Sequence, residues 1–504
     1  MASMSREAAL QDISRLVEVI AESHPDPFRH LSSQVAFYER AGAVAAELKG
    51  ETVAQSDFYL CASRIAALVG DGHTSVDSVD EGVERLWLDM EPLDGRLVVT
   101  GVYGGERSEL LGAFVNAVEG VGMEALSDRI RTVRGSDGLY NDLEHITGAF
   151  RSRVLSEYLL QKEVAKPLNV ELKGPAGGTS ADLEFAAGKP GRLVVPRTAV
   201  ELPEPGRNDM AWAMLPGKAA VYLRIDSMRR YRENFESQFA LGASEAFLKE
   251  LLARAGFEAG GDIERSIQAV PSATETVIEA LAAMKENGVT SLVVDLRRNT
   301  GGNSYLAYVL AHFLYGERML DADQGYDVRR HSRLYGEQFP GRVAEERERG
   351  GYDFGEMRRW ATGKRGMDRE EAGKAAALSP TFRRLAGSFE PVRDVDAYVL
   401  TSARTYSAGF DLAFLLKQLG AVVVGVQPAQ PANAFIDTLR FSLPNSGLKG
   451  WVSSKLMMKR PTEPLHHCLR PDVELTYEEF EGFGFDPNSS LLLALRSIGK
   501  ARRR

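Results

Sequence analysis

Between Ala219 and Val426 the chain alternates short apolar runs with longer amphipathic ones, and that alternation constrains its fold more than any other feature. The apolar runs Ala219–Ile225, Leu292–Leu296, Tyr398–Thr401 and Ala421–Val426 have the length and β-branched content of buried strands. Helical spacing fills the gaps over Thr274–Glu286, Tyr305–Leu314 and Ala408–Leu419. Strands joined by helices need crossover connections, so a parallel sheet with both faces covered is expected, an α/β core.

With 504 residues the chain is too long for one core, and its ends read differently from its middle. Residues 1–80 carry helical periodicity around Ile13–Ile20, Phe37–Leu48 and Phe58–Val69, predicting an N-terminal helical domain. Residues 85–166 mix strand patterns at Arg96–Val102 and Leu111–Gly120 with helical patterns at Met123–Val133 and Leu143–Leu160, an α+β unit. Residues 167–215 hold short strands at Val170–Leu172 and Leu183–Phe185 among glycines and prolines, a β extension or linker. The core is expected over 216–490, interrupted at about 321–380 by a charged helical insertion that is a solvated surface or a lid, with a basic tail at 491–504.

A net charge of -9 argues against general affinity for nucleic acid, and no apolar stretch is long enough to span a bilayer. Two cysteines, Cys61 and Cys468, are too few for a disulfide framework. No cofactor is implied, and metal binding by His466-His467-Cys468 is disfavoured because adjacent side chains on an extended segment point apart. The N-terminus lacks a secretory pattern, so a cytoplasmic location is expected, or an extracytoplasmic one if a signal has been removed.

Three segments carry chemistry. Ser407 stands where a buried strand should turn into a helix, followed by the small residues Ala408 and Gly409, so its hydroxyl is placed as a nucleophile beside unpaired helix N–H groups. Asp295-Leu296-Arg297-Arg298-Asn299-Thr300-Gly301-Gly302 is a strand opening into a loop whose backbone can meet an oxyanion. Gly70-Asp71-Gly72-His73-Thr74 follows a helix and presents an imidazole, a general base or a local hydrogen-bonding group.

Together with His24-Pro25-Asp26-Pro27-Phe28 and Arg470-Pro471-Asp472-Val473, these segments resemble peptidase family S41 over about residues 10–480. The resemblance implies a serine endopeptidase with a crotonase-like or ClpP-like core and a PDZ-like domain at 85–166, acting on peptides or unfolded proteins, often as a homo-oligomer. One branch of the family activates its serine with a lysine, which would fall near Ala432; no lysine lies between Lys417 and Lys449. The other branch uses a histidine and a carboxylate, which implies catalytic Ser407, His73 and Glu463, with Asp472 or Asp411 as substitutes for Glu463, and an oxyanion hole from Gly301, Gly302 and Ala408. Alternative readings are an inactive relative that only binds ligand, and a hydrolase of small esters or amides.

Overall fold

The computed structural model describes residues 3–80, 83–103, 107–164, 167–174, 177–188, 192–349, 351, 353–361, 369–392, 394–465 and 467–501. His466 and the last three residues of the basic tail lie outside the described residues. The chain divides into two compact units, each discontinuous in sequence. One comprises Met1–Thr198, Ala434–Leu456 and Thr476–Pro487, the other Ala199–Asn433, Met457–Leu475 and Asn488–Arg504.

In the first unit, helices Arg6–Ser23, Gln34–Ala45 and Gln55–Ala67 match the three periodic stretches of the N-terminal region. The first buries Ala9, Ile13, Leu16 and Ile20 on one face, and Ser5 caps it by accepting from the Ala8 N–H at 3.2 Å. The α+β part is an antiparallel sheet in which Arg96–Tyr103 pairs with Leu88–Leu93 and Phe114–Val118. The helical pattern from Leu143 to Leu160 is two helices, Leu139–Ala149 and Arg153–Leu160. They break at Ser152, whose hydroxyl caps the second through the Leu155 N–H at 3.2 Å.

Strands Leu168–Gly174 and Gly177–Leu183 form an antiparallel pair, and the first pairs also with Phe114–Val118, so most of the segment expected as an extension continues this sheet. Leu168, Val170 and Leu172 are buried while Glu171 and Lys173 are exposed, the two-residue period of a half-buried strand. A strand that the sequence pattern did not single out, Lys449–Met458, pairs with Ser75–Val76 directly after the Gly70–Thr74 loop.

The second unit holds the expected sheet. Its strands are β1 (Met210–Met214), β2 (Val221–Ile225), β3 (Ser291–Asp295), β4 (Asp396–Thr401), β5 (Val422–Gly425) and β6 (Val473–Glu474), paired in that order. From β2 onward every pairing is parallel; β1 runs antiparallel at the edge. Helices α1 (Ala273–Asn287), α2 (Tyr305–Tyr315) and α3 (Ala408–Gln418) supply the crossovers. Val221, Leu223, Leu292 and Val294 of the strands pack with Val277, Leu281, Leu310 and Leu412 of these helices in one continuous core. Helix α4 (Ser489–Ala501) packs against β3, β4 and β5. The charged insertion is not purely helical: its strands Tyr326–Arg330 and Met357–Ala361 pair antiparallel among three helices. No helix among the described residues is long and apolar enough to cross a membrane.

Candidate active site

β4 ends at Thr401 and α3 begins at Ala408, and the six residues between them are pinned from several sides. The Thr405 hydroxyl donates to the Leu296 carbonyl at 2.8 Å and accepts from the Ser402 N–H at 3.0 Å. The Tyr406 N–H donates to the Asn299 carbonyl at 2.9 Å. Ser407 itself sits at φ 53° and ψ -124°. That conformation costs a non-glycine residue about 1–3 kcal/mol and persists only where the surroundings over-determine it. A principal restraint is Gln430, whose side-chain oxygen accepts the Ser407 N–H at 2.6 Å. Gln430 is fully buried, and its Nε2 has no hydrogen-bond partner among the described residues.

The Asp295–Gly302 segment lies against this turn. Asp295 is buried; burial alone would raise its pKa, but the Arg297 guanidinium and the Tyr222 hydroxyl hold it below the usual carboxylate range. The fork Arg297–Asp295, with Nη2 to Oδ2 at 2.6 Å, clamps the strand end rather than serving chemistry. Asn299, fully buried, donates through Nδ2 to the Ile225 carbonyl at 3.0 Å and accepts the Gly301 N–H through Oδ1 at 2.9 Å.

Gly301, at φ +96°, approaches the turn so closely that a Cβ on it would stand 2.5 Å from the Ser407 Cβ and 2.9 Å from the Ala408 nitrogen. The structure therefore brings Ser407, Ala408 and Gly301 together. It also corrects one expectation: Gly301 is required for approach, but its N–H is committed to Asn299 and does not face a substrate. Among the described residues, the N–H groups of Gly302 and Ala408 have no acceptor. Gly302, at φ +144°, bridges to Met228 on its other side.

The carboxylates of this unit are placed differently from one another. Asp411, one turn into α3, accepts from the Ser304 hydroxyl at 2.7 Å and pairs with Lys459 at 3.3 Å. Asp472 accepts the Val423 N–H at 2.9 Å and pairs with Lys417 at 2.5 Å, tying β5 to the chain before β6. Glu463 lies 3.5 Å from His467, and its backbone carbonyl accepts from Asn433 at 2.9 Å.

His73 belongs to the first unit, on a loop built around the buried carboxylate of Asp71. Asp71 Oδ1 accepts the N–H groups of His73 at 2.6 Å and Thr74 at 2.7 Å, and the Ser453 hydroxyl at 3.1 Å. Its Oδ2 accepts from His24 Nε2 and from the Thr74 hydroxyl, both at 2.8 Å. The backbone N–H of Asp26 donates to His24 Nδ1 at 3.1 Å, which fixes the Nε2–H tautomer toward Asp71. Burial would raise the Asp71 pKa, but His24, His73 and Thr74 outweigh it and bring it down to about 2.

Asp71 and Gln430 hold the two loops in place, and the sequence reading assigned neither of them a role. The Gly-Asp-Gly-His spacing holds a signal for Asp71, since a carboxylate two residues before an N–H can turn back onto it. Nothing local signals Gln430.

Residues 255–474 match the family model of peptidase family S41. Among solved structures, mature CPAF is similar with a TM-score of 0.61 at 13% identity, covering 98% of each chain. Mature CPAF complexed with lactacystin gives 0.58 at 14% identity, covering 98% of this chain and 99% of that one. These likenesses are of fold. No curated protein matches the chain. The chain thus carries, at residues 255–474, a domain of peptidase family S41, a serine-type peptidase.

Proposed function

We propose that the protein is an endopeptidase in which Ser407 attacks the scissile carbonyl, His73 takes and returns the proton, and the N–H groups of Gly302 and Ala408 receive the oxyanion. The observation that carries this reading is the turn itself: a serine held at positive φ between a parallel strand and its helix, beside two N–H groups without acceptors.

In the acylation step the Ser407 Oγ–carbon bond forms as the hydroxyl proton passes to the imidazole. The carbon–nitrogen bond then breaks as that proton passes to the leaving amine. Water, deprotonated by the same imidazole, releases the acyl group. The antiparallel strands and helices within 85–166 support a PDZ-like reading of that region, and the ordered parallel strands β2–β6 a crotonase-like or ClpP-like core. An unfolded protein or flexible peptide is the expected substrate.

Fluorophosphonate labelling tests the reading. Ser407 in the intact chain should be the labelled residue, and Ser407→Ala should lose both labelling and hydrolysis of unfolded casein. Hydrolysis that survives Ser407→Ala would end it.

A further inference from the structure

We infer that Asp137, on the loop between two helices of the first unit, is the positioning residue that orients the His73 imidazole; this rests on His73 being the base of the reaction. The Asp137 carboxylate is the acidic group on the Nδ1 side of the ring, with Oδ2 4.0 Å from His73 Nδ1. Both side chains are almost fully buried, at 8% and 5% exposure, so their attraction is weakly screened. In other triads it is Nδ1–H that a carboxylate holds, leaving Nε2 to take the proton. A separation of 4.0 Å is longer than a hydrogen bond, and catalytic hydrogen bonds commonly tighten only when substrate is bound.

Asp137 is itself built into place. Its other oxygen accepts the Gly72 N–H at 3.3 Å, and its backbone N–H donates to Asn141 Oδ1 at 3.0 Å. Gly135, two residues earlier, lies so close to the Asp71 backbone that any Cβ on it would collide with the Asp71 carbonyl. The two loops thus share one packed junction, and Asp137 spans it.

The resemblance to the family points to Glu463 for the same task. Glu463 is about one-third exposed and lies 3.5 Å from His467. Asp71, the second carboxylate near the imidazole, is already occupied by His24, Thr74 and Ser453, and it holds the His73 backbone rather than the ring.

The experiment compares Asp137→Asn, Asp137→Glu, Glu463→Gln and His73→Ala in the full chain, using kcat/KM on a fluorogenic peptide across pH. Asp137→Asn should lower kcat/KM by about a thousandfold, because the amide stabilises the wrong imidazole tautomer. Its acid limb should move to lower pH, since removing a neighbouring negative charge lowers the pKa of the imidazolium. Asp71 and Asp137 are charged groups near His73, while Arg134, Glu144 and His145 line the cavity behind Gly72 and Thr74, and none but Asp137 changes in this variant. Asp137→Glu should recover part of the rate.

A proton NMR spectrum provides a second readout in case Asp137→Asn folds poorly. The low-field resonance of His73 Nδ1–H should be present in Ser407→Ala and in Glu463→Gln, with the His24–Asp71 proton as internal reference. Wild-type rates in Asp137→Asn, or a thousandfold loss in Glu463→Gln with the His73 resonance removed, would overturn the inference. Activity that survives His73→Ala would instead refute the base assignment on which it rests.

Discussion

Replacing Gly301 with alanine inserts a methyl group 2.5 Å from the Ser407 Cβ and 2.9 Å from both the Ala408 nitrogen and the Tyr406 carbonyl oxygen. All three neighbours belong to one over-determined turn, so relief requires moving the nucleophile or the glycine loop. Holding alanine at φ +96° costs about 1–2 kcal/mol, and overpacking a tight contact adds about 1–3 kcal/mol. The sum, about 2–5 kcal/mol, corresponds to a fall in melting temperature of roughly 5–15 °C for a unit of this size. Displacing a reacting group by about 1 Å costs on the order of a hundredfold in rate, so kcat/KM should fall by about that factor even in the folded fraction.

Gly420 is the matching control. It adopts φ +101°, but an added Cβ meets nothing within 4 Å, so Gly420→Ala carries the conformational cost without the collision. Calorimetry and peptide hydrolysis on both variants separate the two contributions. Gly420→Ala should melt a few degrees lower with kcat/KM unchanged. Should Gly301→Ala keep wild-type kcat/KM within twofold, the close approach of the glycine loop to Ser407 would have no bearing on catalysis.

Asn299→Ala removes the acceptor of the Gly301 N–H and the donor to the Ile225 carbonyl. Two buried backbone groups left unpaired should destabilise the second unit by about 2–5 kcal/mol in urea titrations. Asp71 is ionised in the folded protein with its pKa lowered to about 2, so its stabilising contribution is present above the unfolded-state pKa near 4 and is lost as pH falls through about 2. Asp71→Asn should remove about 2 kcal/mol at pH 7 and flatten acid unfolding between roughly pH 4 and 2, followed by circular dichroism. Burial pushes the Cys61 thiol up to about 12, so Cys61 should resist thiol reagents at pH 8 until the chain is unfolded.

The segments that came through from sequence are those whose cause is local. β2 to β5 and the three crossover helices fall within about two residues of their apolar runs, because a strand buried on both faces has to be continuously apolar. The strand and helix on either side of Ser407 were legible because they follow one another across a single turn. The residues that hold the site in place act over distance instead. Gln430 meets Ser407 from 23 positions away, and Asp137 meets Gly72 from 65. An amide or carboxylate in a loop has no periodicity to betray which backbone group it will satisfy. The donor role expected for Gly301 failed for the same reason: Asn299, two residues earlier, folds back on it, and sequence alone does not show which way that side chain turns.

Ser453, whose hydroxyl donates to Asp71 and whose backbone N–H donates to the Thr74 hydroxyl, is 379 residues beyond the loop it supports. A growing polypeptide still on the ribosome, short of that serine and of the strand pairing at Trp451↔Ser75, has no means to complete the cradle beneath His73. The loop that carries His73 is therefore completed only after Ser407 has been made. On the mechanism proposed, a nascent molecule holds its nucleophile before the loop of its base is complete.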